Sequence, residues 1–296
     1  MFTSILIILV PFLGLKGQIP ISVYDDTITI GTSSLPAIAV TIPESDYDKV
    51  LKIWIKELQT GTKSKVVNEK GEMSIFGARI KDISSNPLNV YSRLNKLESM
   101  LELVVSFELK KDVYIERSTG EAEYAKAVNF LKEFSKTQYI SVARNEADAE
   151  QKKLRDLEKE LSSLENEKSK LQKTIQSAKS TILSEQENIT VQKNELSMVA
   201  GALEIQNREL EAMEEDNPAK KEKAQAVKDL ERRQKRATNS IESSENKIKR
   251  ANSDIEKAEA EIPRNEKMQE KVREQIKVQE AVFKKYDEKL KKIRSY

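Results

Sequence analysis

Two acidic groups, Asp25 with Asp26 and Glu44 through Asp48, are the side chains of this sequence best able to do chemistry. Paired carboxylates can hold a hard cation or move a proton. Their usual collaborators are absent, because the 296 residues contain no cysteine and no histidine. That removes disulfides, thiolate metal sites, the imidazole base and the commonest transition-metal ligand. No glycine-rich phosphate loop, HExxH, GxSxG or EF-hand spacing occurs. Acids in turns and helix starts ordinarily cap and solvate. The reading is therefore of a chain that is not an enzyme, with no catalytic, cofactor-binding or metal-binding residue.

What remains is the chemistry of surfaces. Val191, Met198, Ile205 and Ala212 recur every seven residues, with Ala202 alongside, in a row able to bury against a helix of another protein or another copy. Close by, Glu214, Glu215 and Asp216 are followed by Asn217, Pro218, Lys220 and Lys221. Acids that close one helix and lysines that open the next oppose their own macrodipoles, yet can attract one another across a turn.

The elements that must position these residues are two heptad patterns. The first runs from Ile140 to Met213, with 17 of its 22 a and d positions apolar, and the second from Val227 to Ile293. A seam so long predicts a coiled coil. Laid antiparallel, facing residues have numbers that add to 433, so that Leu203 meets Leu230, Ile182 meets Ala251, Ile175 meets Ala258 and Ile140 meets Ile293. Half of that sum falls between Asp216 and Asn217, where Asn217 can cap a helix and Pro218 suits its first turn. The expectation is an antiparallel two-helix hairpin over 140–296 with its turn at 216–218, on the order of 115 Å long. Lys168 faces Asn265 in its one strongly polar layer, and Pro263 beside it predicts a kink.

Residues 18–139 read as a small α+β domain with one or two helices on an antiparallel sheet. Asp26–Ile30 and Ala37–Ile42 look like strands joined through Gly31–Ser34. Ser45 with Asp48 forms an acidic variant of the capping box, opening a helix whose Tyr47, Val50, Leu51, Trp54 and Leu58 share one face until Gly61 stops it. Asn68–Gly71 reads as a hairpin turn. Leu101, Leu103, Val105, Phe107 and Leu109 alternate with polar residues, the mark of a strand buried on one face. Ser118 with Glu121 is a second capping box, opening a helix through Val128, Leu131 and Phe134 that runs on into the first arm unless the β-branched stretch near Ile140 breaks it.

The apolar run at residues 2–15 is too short to cross a bilayer as a helix and fits the core of a secretory signal peptide. Residues 1–17 are thus expected to be a signal peptide and the chain periplasmic or secreted. An uncleaved run would instead anchor it, the only membrane contact foreseen. Charges of both signs alternate, with a net charge of +2, and leave no basic face for nucleic acid. The expected function is that of an exported structural or interaction protein whose rigid coiled-coil arm binds or spaces protein partners in the cell envelope, or joins copies of itself. The hairpin resembles in shape the tentacles of prefoldin and Skp-type chaperones, which implies a periplasmic holdase as the alternative. A ligand-binding or enzymatic head domain of unknown specificity is a second alternative.

Overall fold

The computed structural model describes residues 19–296, so the expected signal peptide at 1–17 lies outside the described residues. Gly31, at φ +59, makes the tight turn between β1 (Val23–Ile30) and β2 (Ser33–Pro43). A single helix, α1 (Tyr47–Gln59), follows. Lys70 and Gly71, both at positive φ, then turn β3 (Val67–Glu69) into β4 (Glu72–Ala78). Next come β5 (Leu88–Lys96), β6 (Met100–Lys110) and the two-residue β7 (Val113–Tyr114). The sheet is antiparallel in every pairing and has seven strands in the order β1-β2-β6-β5-β4-β3, with β7 on the free end of β6. Two helices complete the chain, α2 (Glu121–Glu211) and α3 (Lys220–Arg294). The α+β head and long helical hairpin expected from the sequence are both present. Packing divides the chain into two compact units, one ending at Leu154 and rejoined by Gln279–Tyr296, the other Arg155–Val278.

In the first unit, helices cover one face of the sheet. Val50, Trp54 and Leu58 of α1 pack with Tyr124, Ala127, Phe130, Leu131 and Phe134 of α2 against Ile38, Val40, Leu103, Val105 and Phe107. Trp54 anchors this layer, its ring centroid 5.0 Å from that of Phe134 and its Nε1 donating to the buried Ser92 Oγ at 2.9 Å. An indole is favourable in such a core only if its N–H finds an acceptor.

The opposite face departs from expectation. β6 is buried on both sides, with Val104, Ser106 and Glu108 inside as well as the odd-numbered residues. The cause lies in β2, which pairs with β1 from Ser33 to Val40 but with β6 only from Ile38 to Pro43. Its first half leaves the sheet with β1 and folds over the second face. There Ile28, Leu35, Ala37, Ala39 and Val104 form a small core, and the Thr29 carbonyl and Gly31 N–H reach Arg93 and Glu72. β7 takes the vacated place beside β6.

Both capping boxes are displaced. Asp46, not Ser45, caps α1 by accepting from Lys49 N–H at 2.9 Å, while Ser45 Oγ donates to the Pro43 carbonyl. At α2 the Gly120 carbonyl accepts from Tyr124 N–H, and Thr119 rather than Ser118 bonds the preceding turn. α2 shows no break near Ile140, and α3 is continuous through Pro263. Around Ile140, the buried Tyr139, Ala143 and Ala147 pack on Leu290 and Ile293 of α3, which gives the β-branched stretch a reason to stay helical.

In the second unit the arms pair antiparallel in the predicted register. Asn188 with Ser244, Glu185 with Lys247 and Glu167 with Asn265 bond at 2.9, 2.7 and 3.1 Å, each pair summing to 432, and Lys168 with Glu266 sums to 434, so the side-chain bonds bracket the expected 433. The buried Ala178, Ala237, Ala251 and Ala258 mark the layers of closest approach. Of the second arm's a and d residues only Gln234 is exposed. Lys168 and Asn265 do not bond each other. Lys168 pairs with Glu266 at 2.7 Å, and Asn265 bonds Glu167 and, at 2.7 Å, Gln269.

Candidate functional site

The row foreseen on the first arm is exposed. Val191, Met198 and Ile205 are 56%, 65% and 56% accessible, whereas their seam neighbours Val199 and Leu203 are buried with Val227. The face outside is determined by what lies inside: the seam, flanked by the pairs of Arg233 with Glu195 at 2.7 Å and of Lys223 with Glu209, fixes how α2 is rotated in this unit. Ala212 is exposed but lies just past the last residue of α2, and Ala202 is half-buried at the seam margin. The row thus consists chiefly of Val191, Met198 and Ile205.

Sequence reading missed one member of this face. Gly201 lies three residues after Met198 and four before Ile205, hence on the same side of the helix. It is the only glycine in either long helix, and a Cβ added there would meet nothing within 4 Å. Glycine costs about 1 kcal/mol relative to alanine in a helix interior. Nothing among the described residues requires that cost. The signal available in the sequence was this lone glycine, which falls ten residues before the end of a 91-residue helix.

The turn differs in detail from expectation. α2 ends at Glu211, so Glu214, Glu215 and Asp216 stand beyond it, in the turn, and do not close the helix. Asn217 holds the turn by accepting from Ala219 N–H through Oδ1 and from Lys220 N–H through its carbonyl, both at 3.0 Å. Pro218 therefore lies ahead of α3, which begins at Lys220. Attraction across the turn runs through other groups, from Lys220 Nζ to the Met213 carbonyl at 3.3 Å and from Lys223 to Glu209. Lys221, like the three turn acids, is exposed.

The acidic groups of the head serve the fold. Asp25 accepts from Tyr124 Oη and from Arg117 Nε at 3.1 Å, and these bonds, the tyrosine's foremost, hold its carboxyl below the usual range. Asp26 accepts from the neighbouring Thr27 N–H. Glu44, at φ 53, and Glu146 of α2 both take Lys289 of α3, at 2.5 and 2.9 Å. Burial pulls the Lys289 ammonium down, but the bonds to Glu44 and Glu146 outweigh it and its pKa is raised. On the second face Glu108 accepts from Asn89, Tyr91 and the Asp112 N–H, and burial together with the Glu108 charge pushes the Tyr91 phenol up to about 12. Among the described residues no group of three or more acids is placed to hold a metal ion, and no helix is long and apolar enough to cross a membrane.

No family model matches this chain, and neither a curated protein nor a solved structure does.

Proposed function

We propose that this chain is a non-enzymatic, exported protein whose helical hairpin binds or spaces protein partners in the cell envelope. The observation that carries this reading is the exposed apolar row Val191, Met198 and Ile205 on an arm whose seam is already filled. Isolated exposed apolar residues are ordinary on any surface. Three at seven-residue spacing form one strip along a helix, and such a strip gains about 25 cal/mol per Å² of apolar area when covered, before the costs of association. Export rests on the apolar run at residues 2–15.

The double substitution Met198→Glu with Ile205→Glu tests the arm. Both sites lie outside the seam, so helicity should be unchanged and stability should move by no more than about 0.5 kcal/mol. Association, followed by light scattering and by capture from envelope fractions, should be lost. Association that persists at every concentration would remove the row from the function. Binding of unfolded membrane proteins instead of a folded partner would favour the holdase.

A further inference from the structure

The face that carries the row has more structure than a strip of apolar residues. Val191, Asn194, Met198, Gly201, Ile205 and Arg208 are spaced alternately by three and four, the spacing of a coiled-coil seam, on the side of α2 away from α3. In such a seam a glycine is a hole. It lets a neighbouring backbone approach closely, and at Gly201 the space for a Cβ is empty on the chain's own side.

The surroundings of this face are mainly acidic. From Glu187 to Asp216 the chain carries eight carboxylates and only two cations, Lys193 and Arg208. Arg208 is engaged by Glu204 of its own helix. Glu187, Glu211 and the three turn acids have no partner among the described residues. A second copy docked through the same face would set carboxylates against carboxylates. The α3 helix of a second copy offers cations but no apolar row, because Asp229, Arg232, Arg236, Asn239 and Ser243 occupy its corresponding outward positions.

We propose that this face binds a single amphipathic α-helix of another protein, one with an apolar stripe and lysine- or arginine-rich flanks, seated closely over Gly201. The proposal rests on the reading of the arm as a partner-binding element and adds the chemical class of the partner. Its stripe would cover Met198 and Ile205 while its cations neutralise the rim, so binding should weaken with salt.

The test uses the full-length chain and three fluorescent designed helical peptides: one with leucines at three-four spacing and lysine flanks, one with the same leucines and glutamate flanks, and one lysine-rich with the leucines scrambled. Fluorescence anisotropy should show binding of the first and at least roughly tenfold weaker binding of the other two, a gap of about 1.4 kcal/mol. Gly201→Leu should weaken binding of the first peptide at least as much, while the melting temperature of the protein stays unchanged or rises, since leucine is the better helix former and its Cβ has open space there. Equal binding of the lysine and glutamate peptides, no binding at all, or undiminished binding by Gly201→Leu would overturn the proposal. So would a homodimer that Met198→Glu with Ile205→Glu abolishes. If those paired glutamates abolish partner association while Gly201→Leu and the flank charges make no difference, the arm reading stands and this inference fails.

Discussion

At the scale of the residue, Lys289 has the most consequential surroundings in the first unit. Its side chain is 10% exposed and lies between Glu44 and Glu146, tying the β2–α1 connection, α2 and α3 together. Removing one partner of a largely buried pair leaves a carboxylate that has lost both its water and its counterion. Glu146 is more than a third exposed and recovers much of its hydration, so the loss rests mainly on Glu44. Lys289→Met should destabilise the protein by about 2 kcal/mol, measured by chemical denaturation. The pH dependence has a definite sign. The folded-state pKa of this lysine is raised above 10.5, so its contribution is complete below that value and is lost as pH rises through the raised one. Wild-type protein should lose this increment at alkaline pH, and Lys289→Met should show a flatter profile there. Parallel profiles would mean that the cluster contributes nothing to stability.

At the scale of the element, the register of the hairpin can be tested directly, because the chain has no native thiol. Cysteines at Ile175 and Ala258, which share a layer, should form a disulfide within one chain, whereas Ile175 with Ile241 should not. Mobility on a non-reducing gel decides it, and the reverse pattern would refute the register. The hairpin was legible because heptads repeat over many layers, so single polar positions such as Lys168 and Gln192 could not hide the period. The head was less so. Val104, Ser106 and Glu108 look like the wet side of β6, yet they are buried: Val104 packs with Ile28 and Leu35 of the β1–β2 hairpin and Glu108 bonds Asn89, Tyr91 and Asp112, and no pattern within β6 encodes what other segments will cover. β5 alternates Leu88, Val90 and Leu94 with polar residues, but Ser92 interrupts the apolar set, and its role as acceptor for Trp54 exists only in three dimensions. Both caps were misplaced by a residue or two, as local choices among Ser45, Asp46, Ser118 and Gly120 depend on where the preceding strand ends. In the candidate site, apolar periodicity revealed Val191, Met198 and Ile205. It could not reveal Gly201, since a hydrophobic pattern has no term for an absent side chain.

At the scale of the whole molecule, the two units are filled differently. The first buries Trp54, Ile42, Leu58, Leu103 and Leu131 completely, whereas most seam leucines and isoleucines of the second remain half-exposed. Apolar area removed from water is the main stabilising quantity, so the second unit should unfold at the lower temperature. Trp54 is the sole tryptophan and reports on the first unit, while far-ultraviolet ellipticity reports mainly on the long helices of the arms. Loss of ellipticity should begin before the emission of Trp54 shifts, and coincident transitions would show the two units to be one cooperative body. The contact from Lys136 to the C-terminal Tyr296 spans 160 residues, and that from Glu44 to Lys289 spans 245. On a ribosome the sheet is complete long before its last covering segment exists. Closing so large a loop in one step is entropically slow, but arms that zip from the turn at Asn217 shorten the remaining gap layer by layer. Until the final heptads of α3 are synthesised, the Tyr139, Ala143 and Ala147 face stays uncovered, and that interval is when a nascent chain of this kind is most open to aggregation or to a chaperone.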